Sequence, residues 1–357
     1  MTGILTAIAA ILVFGGVVLV HEWGHFILAR RNGIRVLEFA IGMGPKLWSK
    51  KVNGTEYSIR LLPIGGFNRM LSREEEEQLR QAGEEVPEYE PGPGSYYEDA
   101  APWRRLLVLA AGPAMNVVLG FALLMVLLSG QELLATRQVA QVDPDSQAAA
   151  SGLQAEDLIL EVNGRHCFVY QDIYYELERT ANDQADILVR RNGEKILLEN
   201  VKFDRITMED GYSYLDIGFK VYGVEPGLLT TPKAAFQYTI YYAKYIFTSL
   251  FDLFTGRVGI NNLSGPVGIV SAINEAVMMG WDEVLNMAIL ISINLGIFNL
   301  IPIPGLDGGQ IIFTGVEAVL RRPISAKIRN AVNMAGLMAL IFLAIFATYQ
   351  DILRLLF

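Results

Sequence analysis

His21-Glu22-Trp23-Gly24-His25 has the HExxH pattern, residue types and spacing able to do chemistry. Histidines four apart share one face of a helix and can grip one metal ion. Glu22, beside the first of them, can poise a water polarised by that metal, which is the arrangement of a hydrolytic zinc site. The address of the motif is as informative as its letters. An almost unbroken apolar run from Ile4 to Val20 leads into it, and apolar sequence resumes at Phe26-Ile27-Leu28-Ala29. A charge at the centre of a bilayer costs roughly 2.5–3.5 kcal/mol on insertion scales, so ionisable residues kept inside such a run point to function. A chance HExxH in an ordinary stable helix is the competing reading.

A catalytic zinc needs a third protein ligand, and the composition narrows the search. The chain has three histidines and one cysteine. His166 follows Asn163-Gly164 in a polar stretch and reads as a surface or turn residue. Cys167, being alone, excludes an internal disulfide and a cysteine-based zinc site, and reads as a small, partly buried side chain. The missing ligand is therefore sought among Asp and Glu. Asp307 stands out, because Pro302-Ile303-Pro304-Gly305 before it must break an apolar helix, and broken backbone at membrane depth survives where it lines a cavity or packs on protein. Depth agrees. Counted from the outer ends of their spans, His21 lies ~26 Å along its helix and Asp307 ~35 Å along its own, shortened by the break. Two histidines, one carboxylate and a water make a catalytic zinc set with an open position. The alternative for Asp307 is a plain helix cap for the segment that follows.

These residues need a membrane scaffold. Of 357 residues 52% are hydrophobic, and the mean hydropathy is +0.32, which suits a multi-span membrane protein. A net charge of −9 argues against nucleic acid as a partner. Four stretches, near 4–29, 106–128, 284–303 and 331–348, have the ~20 residues needed to cross a bilayer. The first lacks a charged leader and holds the motif, so it reads as a retained span. Arg30, Arg31 and Arg35, then Arg104 and Arg105, then Arg321, Arg322, Lys327 and Arg329 fall on one side if the chain crosses four times, and that side is the cytoplasm. The acidic stretch Glu74 to Asp99, with Pro91-Gly92-Pro93-Gly94, reads as a solvated linker, with a partner-binding loop as the alternative.

Residues 136–226 are polar, with strand-like runs punctuated by Asn163-Gly164 and Asn192-Gly193, and form one small β-rich domain outside the membrane. Pro232 to Phe254, rich in tyrosine, reads as an interfacial amphipathic helix rather than a fifth span. Val36 to Leu62 reads as two strands turning at Asn53-Gly54. Asn116 follows Gly112-Pro113 inside the second span, where satisfying backbone freed by Pro113 is favoured over orienting a ligand.

Taken together these motifs resemble the bacterial site-2 protease family of intramembrane zinc metalloproteases, of the RseP/RasP type. The resemblance rests on HEWGH, on Asn299-Leu300-Ile301-Pro302-Ile303-Pro304-Gly305-Leu306-Asp307-Gly308-Gly309, on Ile41-Gly42-Met43-Gly44-Pro45 with Pro63-Ile64-Gly65-Gly66-Phe67, and on Ala111-Gly112-Pro113-Ala114-Met115-Asn116. Ser151 to Gly164 resembles part of a PDZ domain, and there is room for one where several relatives carry two. The resemblance implies Zn2+ on His21, His25 and Asp307, Glu22 as general base, and substrate contacts at Asn299, Pro302 and Pro304. It also implies a membrane-associated β-hairpin whose free edge adds the unwound substrate as a strand, a plain lid over the cytosolic mouth being the alternative. Ser264-Gly265-Pro266-Val267-Gly268 matches the family without suggesting chemistry, its small residues suiting close packing or a tight turn.

The expectation is therefore a mainly α membrane protein with about four transmembrane helices, a membrane-associated β-hairpin and one extracytoplasmic PDZ-like β-rich domain. Its parts would be an N-terminal membrane region over 1–135, a PDZ-like domain over 136–228, and an interfacial helix with the C-terminal membrane region over 229–357. The function implied is a zinc metalloendopeptidase of the bacterial inner membrane, its active site toward the cytosol. It would cut single-span membrane proteins, such as anti-sigma factors or signal-peptide remnants, after a first cut by another protease. A non-catalytic membrane adaptor using the PDZ domain is the alternative. It is disfavoured because both histidines, Glu22 and the Asp307 region are all present.

Overall fold

The apolar run around HExxH folds as one helix, α1 (Thr2–Arg31), in the computed structural model, which describes residues 2–81, 96–208, 211, 213–260 and 263–356. Gly33, at φ +76°, ends the helix, and Ile34 N–H bonds back to the Ala29 carbonyl. Two long antiparallel strands follow, β1 (Val36–Val52) and β2 (Thr55–Met70). They turn at Asn53 and Gly54, both with positive φ, as the twist of a two-residue hairpin requires. The register doubles back: Phe39 pairs with both Tyr57 and Asn68, and Ala40 with both Ser58 and Phe67. Residues 36–41 are thus flanked by the start and the end of β2. The end of β2 packs on α1, and Phe26, Ala29, Ile34, Val36 and Phe39 share a core with Ala100 and Val108.

The acidic stretch begins as a short helix, α2 (Arg73–Gln81); the rest of the expected linker, with Pro91-Gly92-Pro93-Gly94, lies outside the described residues. Next comes α3 (Pro102–Ser129), which runs on through Pro113.

The chain divides into two compact units, one of residues 1–123 with 246–357 and one of residues 124–245. In the second lie β3 (Leu134–Val142), α4 (Gln147–Ala150), β4 (Leu158–Val162), β5 (Arg165–His166), α5 (Tyr170–Glu178), β6 (Gln184–Arg191), β7 (Glu194–Lys202), β8 (Asp204–Thr207), β9 (Ser213–Asp216) and β10 (Phe219–Val224). The main sheet runs β10-β3-β4-β6-β7 with β5 beside β4, all antiparallel, and β8-β9 form a separate pair. Val139, Ile159, Ile173, Leu177, Ile187, Val189 and Val201 close its core. The tyrosine-rich stretch is a single helix, α6 (Thr230–Phe254). Lys244 on it donates to Asp172, fully buried on α5, at 2.7 Å.

Ser264-Gly265-Pro266-Val267-Gly268 opens a helix that the sequence did not suggest, α7 (Pro266–Met279). Asp351 Oδ2, buried, accepts its Gly268 N–H at 2.7 Å, and a Cβ at Gly268 would come within 3.1 Å of that carboxyl carbon. The small residues therefore let α10 (Ala326–Leu356) cap α7. Between them lie α8 (Trp281–Leu300) and α9 (Asp307–Leu320), separated by the Pro302–Pro304 break. Among the described residues, four helices are long and apolar enough to cross a membrane: Gly3–Arg31, Pro102–Ser129, Trp281–Leu300 and Ala326–Arg354.

Candidate metal centre

Three elements bring three ligand atoms together. His21 and His25 project from successive turns of α1, and both are buried. Asp307 is the first residue of α9, set there because α8 cannot continue through two prolines that lack N–H groups. His21 Nε2 lies 3.2 Å from Asp307 Oδ2, His25 Nε2 lies 3.3 Å from the same oxygen, and the two nitrogens are 3.2 Å apart. Bonds of 2.0–2.2 Å at a tetrahedral zinc put ligand atoms about 3.3–3.6 Å from one another, so the triangle is close to the size of one zinc face. Asp307 Oδ2 is buried with no hydrogen-bond donor assigned to it, and the two ring nitrogens face each other. A cation satisfies all three atoms at once.

The far side of each imidazole is also held. His25 Nδ1 is 2.8 Å from the Val108 carbonyl on α3, which makes Nδ1 the protonated donor and leaves Nε2 as the ligand atom. His21 Nδ1 is 3.3 Å from Nδ2 of Asn116, which is fully buried on α3. A histidine ligating through Nε2 donates from Nδ1. Turning the Asn116 amide brings its buried, unpartnered Oδ1 into place as the acceptor. Asn116 thus lies against a candidate ligand, where the sequence favoured a backbone role; its own backbone carbonyl accepts from Ser292 Oγ at 2.8 Å. The packing of α3 is close, because a Cβ at Gly112 would meet the His25 ring.

Glu22 sits between the two histidines in sequence and faces β2, where Asn68 Nδ2 donates to its Oε2 at 2.8 Å. Asn68 is missed from sequence, since a polar residue 46 positions on in a strand carries no motif. Asn299 is half-buried on the last turn of α8, Pro302 is exposed in the break, and the Pro304 ring faces α10 at Gly336. Neither His166 nor Cys167 belongs to the cluster: His166 is exposed in the second unit, and Cys167 is fully buried there, its thiol pushed up to about 12 by burial. Among the described residues, His21, His25 and Asp307 form the group of ligating side chains close enough to hold a metal ion.

Two histidines four apart on a helix of membrane length, a carboxylate closing the triangle and a glutamate beside the first histidine have the arrangement of a metallopeptidase-type centre. The match to known proteins gives the family: residues 9–343 fit the model of Peptidase family M50, and the chain belongs to that family. It is 32% identical to the zinc metalloprotease RasP of Shouchella clausii, covering 98% of this chain and 99% of the relative. It is 31% identical to the regulator of sigma-W protease RasP of Bacillus subtilis and 32% identical to the zinc metalloprotease RasP of Bacillus licheniformis, both with the same coverage. Family membership and the four apolar helices make it an integral membrane peptidase.

Proposed function

We propose that this protein is an intramembrane zinc endopeptidase that hydrolyses peptide bonds within or near the transmembrane segment of single-span membrane proteins. The observation that carries the reading is the meeting of His21, His25 and Asp307 beside Glu22, the histidines on a helix of membrane length and the aspartate at the break that follows another. Zinc held by His21, His25 and Asp307 would polarise the scissile carbonyl and acidify the attacking water. Glu22 would take the proton from that water and pass it to the leaving amine. Val108 and Asn116 hold the imidazoles from behind, so His21 and His25 keep their orientation through the reaction. A substrate helix has its backbone sealed in its own hydrogen bonds and must unwind before it can be cut. The 66–70 segment of β2, paired with β1 on one side, offers a strand edge close to Glu22 for the unwound chain to join. Asn299, at the end of α8, would hydrogen-bond the substrate backbone, with Pro302 and Pro304 lining its path.

The domain reading is a membrane region over 1–135, a PDZ-like domain over 136–228 and a second membrane region from 229. The antiparallel sheet and the α5 helix of the second unit support the PDZ-like assignment. Basic residues after the first span and before the second support an active site toward the cytosol of a bacterial inner membrane, with the PDZ-like domain outside. The name of the Bacillus subtilis relative, regulator of sigma-W protease, supports anti-sigma factors as substrates, with signal-peptide remnants a further group of the same architecture. The test is full-length protein in proteoliposomes with a single-span substrate. Glu22→Gln should retain zinc and lose cleavage by at least about 100-fold, the lower end of what a positioned acid–base group supplies. Cleavage at the wild-type rate would overturn the reading.

A further inference from the structure

We infer that Asn68 is a positioning residue for Glu22: the hairpin strand fixes the rotamer of the base through one side-chain amide. The inference rests on the role proposed for Glu22 above. Asn68 Nδ2 donates to Glu22 Oε2 at 2.8 Å and also to the Glu22 backbone carbonyl. One amide therefore grips the flexible side chain at its root and at its tip, and the remaining rotations between those points are closed off. Oε1 is left for the attacking water.

The strand is shaped for this contact. Gly66 lies two residues earlier on the same face, where a Cβ would stand 3.6 Å from Glu22 Cγ and 2.9 Å from the Ala40 carbonyl oxygen. The absence of a side chain there lets the strand approach the Ala40 carbonyl and the Glu22 side chain closely. Asparagine is a poor strand former, and Asn68 Oδ1 is buried without a partner. Packing alone would favour a β-branched residue at this position, so the return on Asn68 is its bond to Glu22. The strand itself is rigidly held. Phe39 pairs with Asn68, and the neighbouring Glu38, 2% exposed, is bound by Ser58 Oγ at 2.6 Å and Arg60 Nη2 at 2.7 Å. A hydrogen bond delivered from such an element can hold a carboxylate within the narrow range that proton transfer needs.

The test compares the full-length wild-type protein with Asn68→Leu and Asn68→Asp in proteoliposomes, on a single-span substrate. Leu keeps the size and removes the donor; Asp keeps the shape and places an acceptor against Glu22. Both variants should lose kcat by five- to twentyfold while KM stays within twofold, with one zinc per chain and an unchanged thermal midpoint. Lowering the pH from 8 to 5.5 should recover Asn68→Asp activity relative to wild type, as the introduced carboxyl regains a donor once protonated, and should do nothing for Asn68→Leu. A kcat within twofold of wild type in both variants overturns the inference. So does a loss that follows zinc content or thermal stability, because Asn68 would then be merely structural. Glu22→Gln run alongside separates the two claims: if it cleaves normally both fall, whereas if it is dead and Asn68→Leu is normal only the positioning role falls.

Discussion

Gly112 on α3 lies directly against the imidazole of His25: a Cβ added there would come within 2.7 Å of ring carbon Cε1 and 2.8 Å of Cδ2. The α3 backbone thus lies against the metal-facing edge of a candidate ligand, its Nε2 atom included, and no side chain fits between them. Gly112→Ala should push His25 off the triangle it forms with His21 and Asp307. Loss of an outer partner of a zinc ligand typically costs roughly 10–100-fold in metal affinity, and a direct push on the ring should cost at least as much. Zinc per chain after dialysis against a graded chelator measures this, and wild-type retention would mean that α3 yields without disturbing the site.

Asp307 closes the triangle, and its Oδ2 is the oxygen shared by both imidazoles. Asp307→Ala removes a ligand outright, so its metal affinity should fall by more than the roughly 100-fold upper range for outer partners. Asp307→Asn keeps the shape and loses the charge, and should fall between alanine and wild type. Metal analysis of the purified variants checks the order, and an unchanged zinc content in Asp307→Ala would direct the search to another carboxylate.

Far from the ligands, α9 is tied to α3 by a buried ion pair. Arg105 Nη1 lies 2.8 Å from Glu317 Oε2, both residues are less than a tenth exposed, and Glu317 Oε1 also accepts the Ile324 N–H. Because α9 begins at Asp307 and α3 carries Gly112 and Asn116, this bond sets the register between the ligand and the α3 residues that lie against the histidines. Removing one partner of such a pair costs roughly 3–5 kcal/mol, since the other charge stays buried alone. Glu317→Gln should lower the thermal midpoint in detergent and weaken zinc retention. Exchanging both residues for apolar ones of similar volume should recover most of the midpoint, and failure of the single variant to move it would place the ion pair outside the stability of this unit.

What could be read from the letters follows from what each feature depends on. His21 and His25 share a local motif, and Asp307 was reachable because histidine and cysteine were exhausted and because two prolines mark a break at matching depth. The four long helices follow from apolar length alone. Asn68, Gly112 and the Asn116 contact depend on which helix or strand lies against α1, and no local pattern carries that. The double register of β1 is equally silent, since alternation in residues 36–41 does not say that both faces of the hydrogen-bond ladder are used. The 14-residue α7 is too short to announce itself as a span, and its start is recognisable only once Asp351 is seen above Gly268. The tyrosine-rich stretch was legible as a helix, whereas the ion pair that joins Lys244 to Asp172 was not.

The single cysteine offers a direct probe of the second unit. Cys167 is fully buried, with its sulfur near the Arg165 carbonyl, and burial pushes its thiol from 9.0 up to about 12. Alkylation requires both access and the thiolate. At pH 8 the native protein should therefore resist maleimide, and labelling should appear only as denaturant opens this unit. The same shift has a sign for stability. The folded state holds the proton more tightly than the unfolded chain, so the contribution of the thiol is complete below pH 9 and is lost as pH rises toward 12. Cys167→Ser and Cys167→Ala both remove the titrating thiol. Serine keeps a polar atom that must find a partner, alanine leaves a small void, and both should lack this component of the alkaline loss. Rapid labelling of the native protein at pH 8 would show that the core around Val139 and Ile173 opens far more readily than its packing implies.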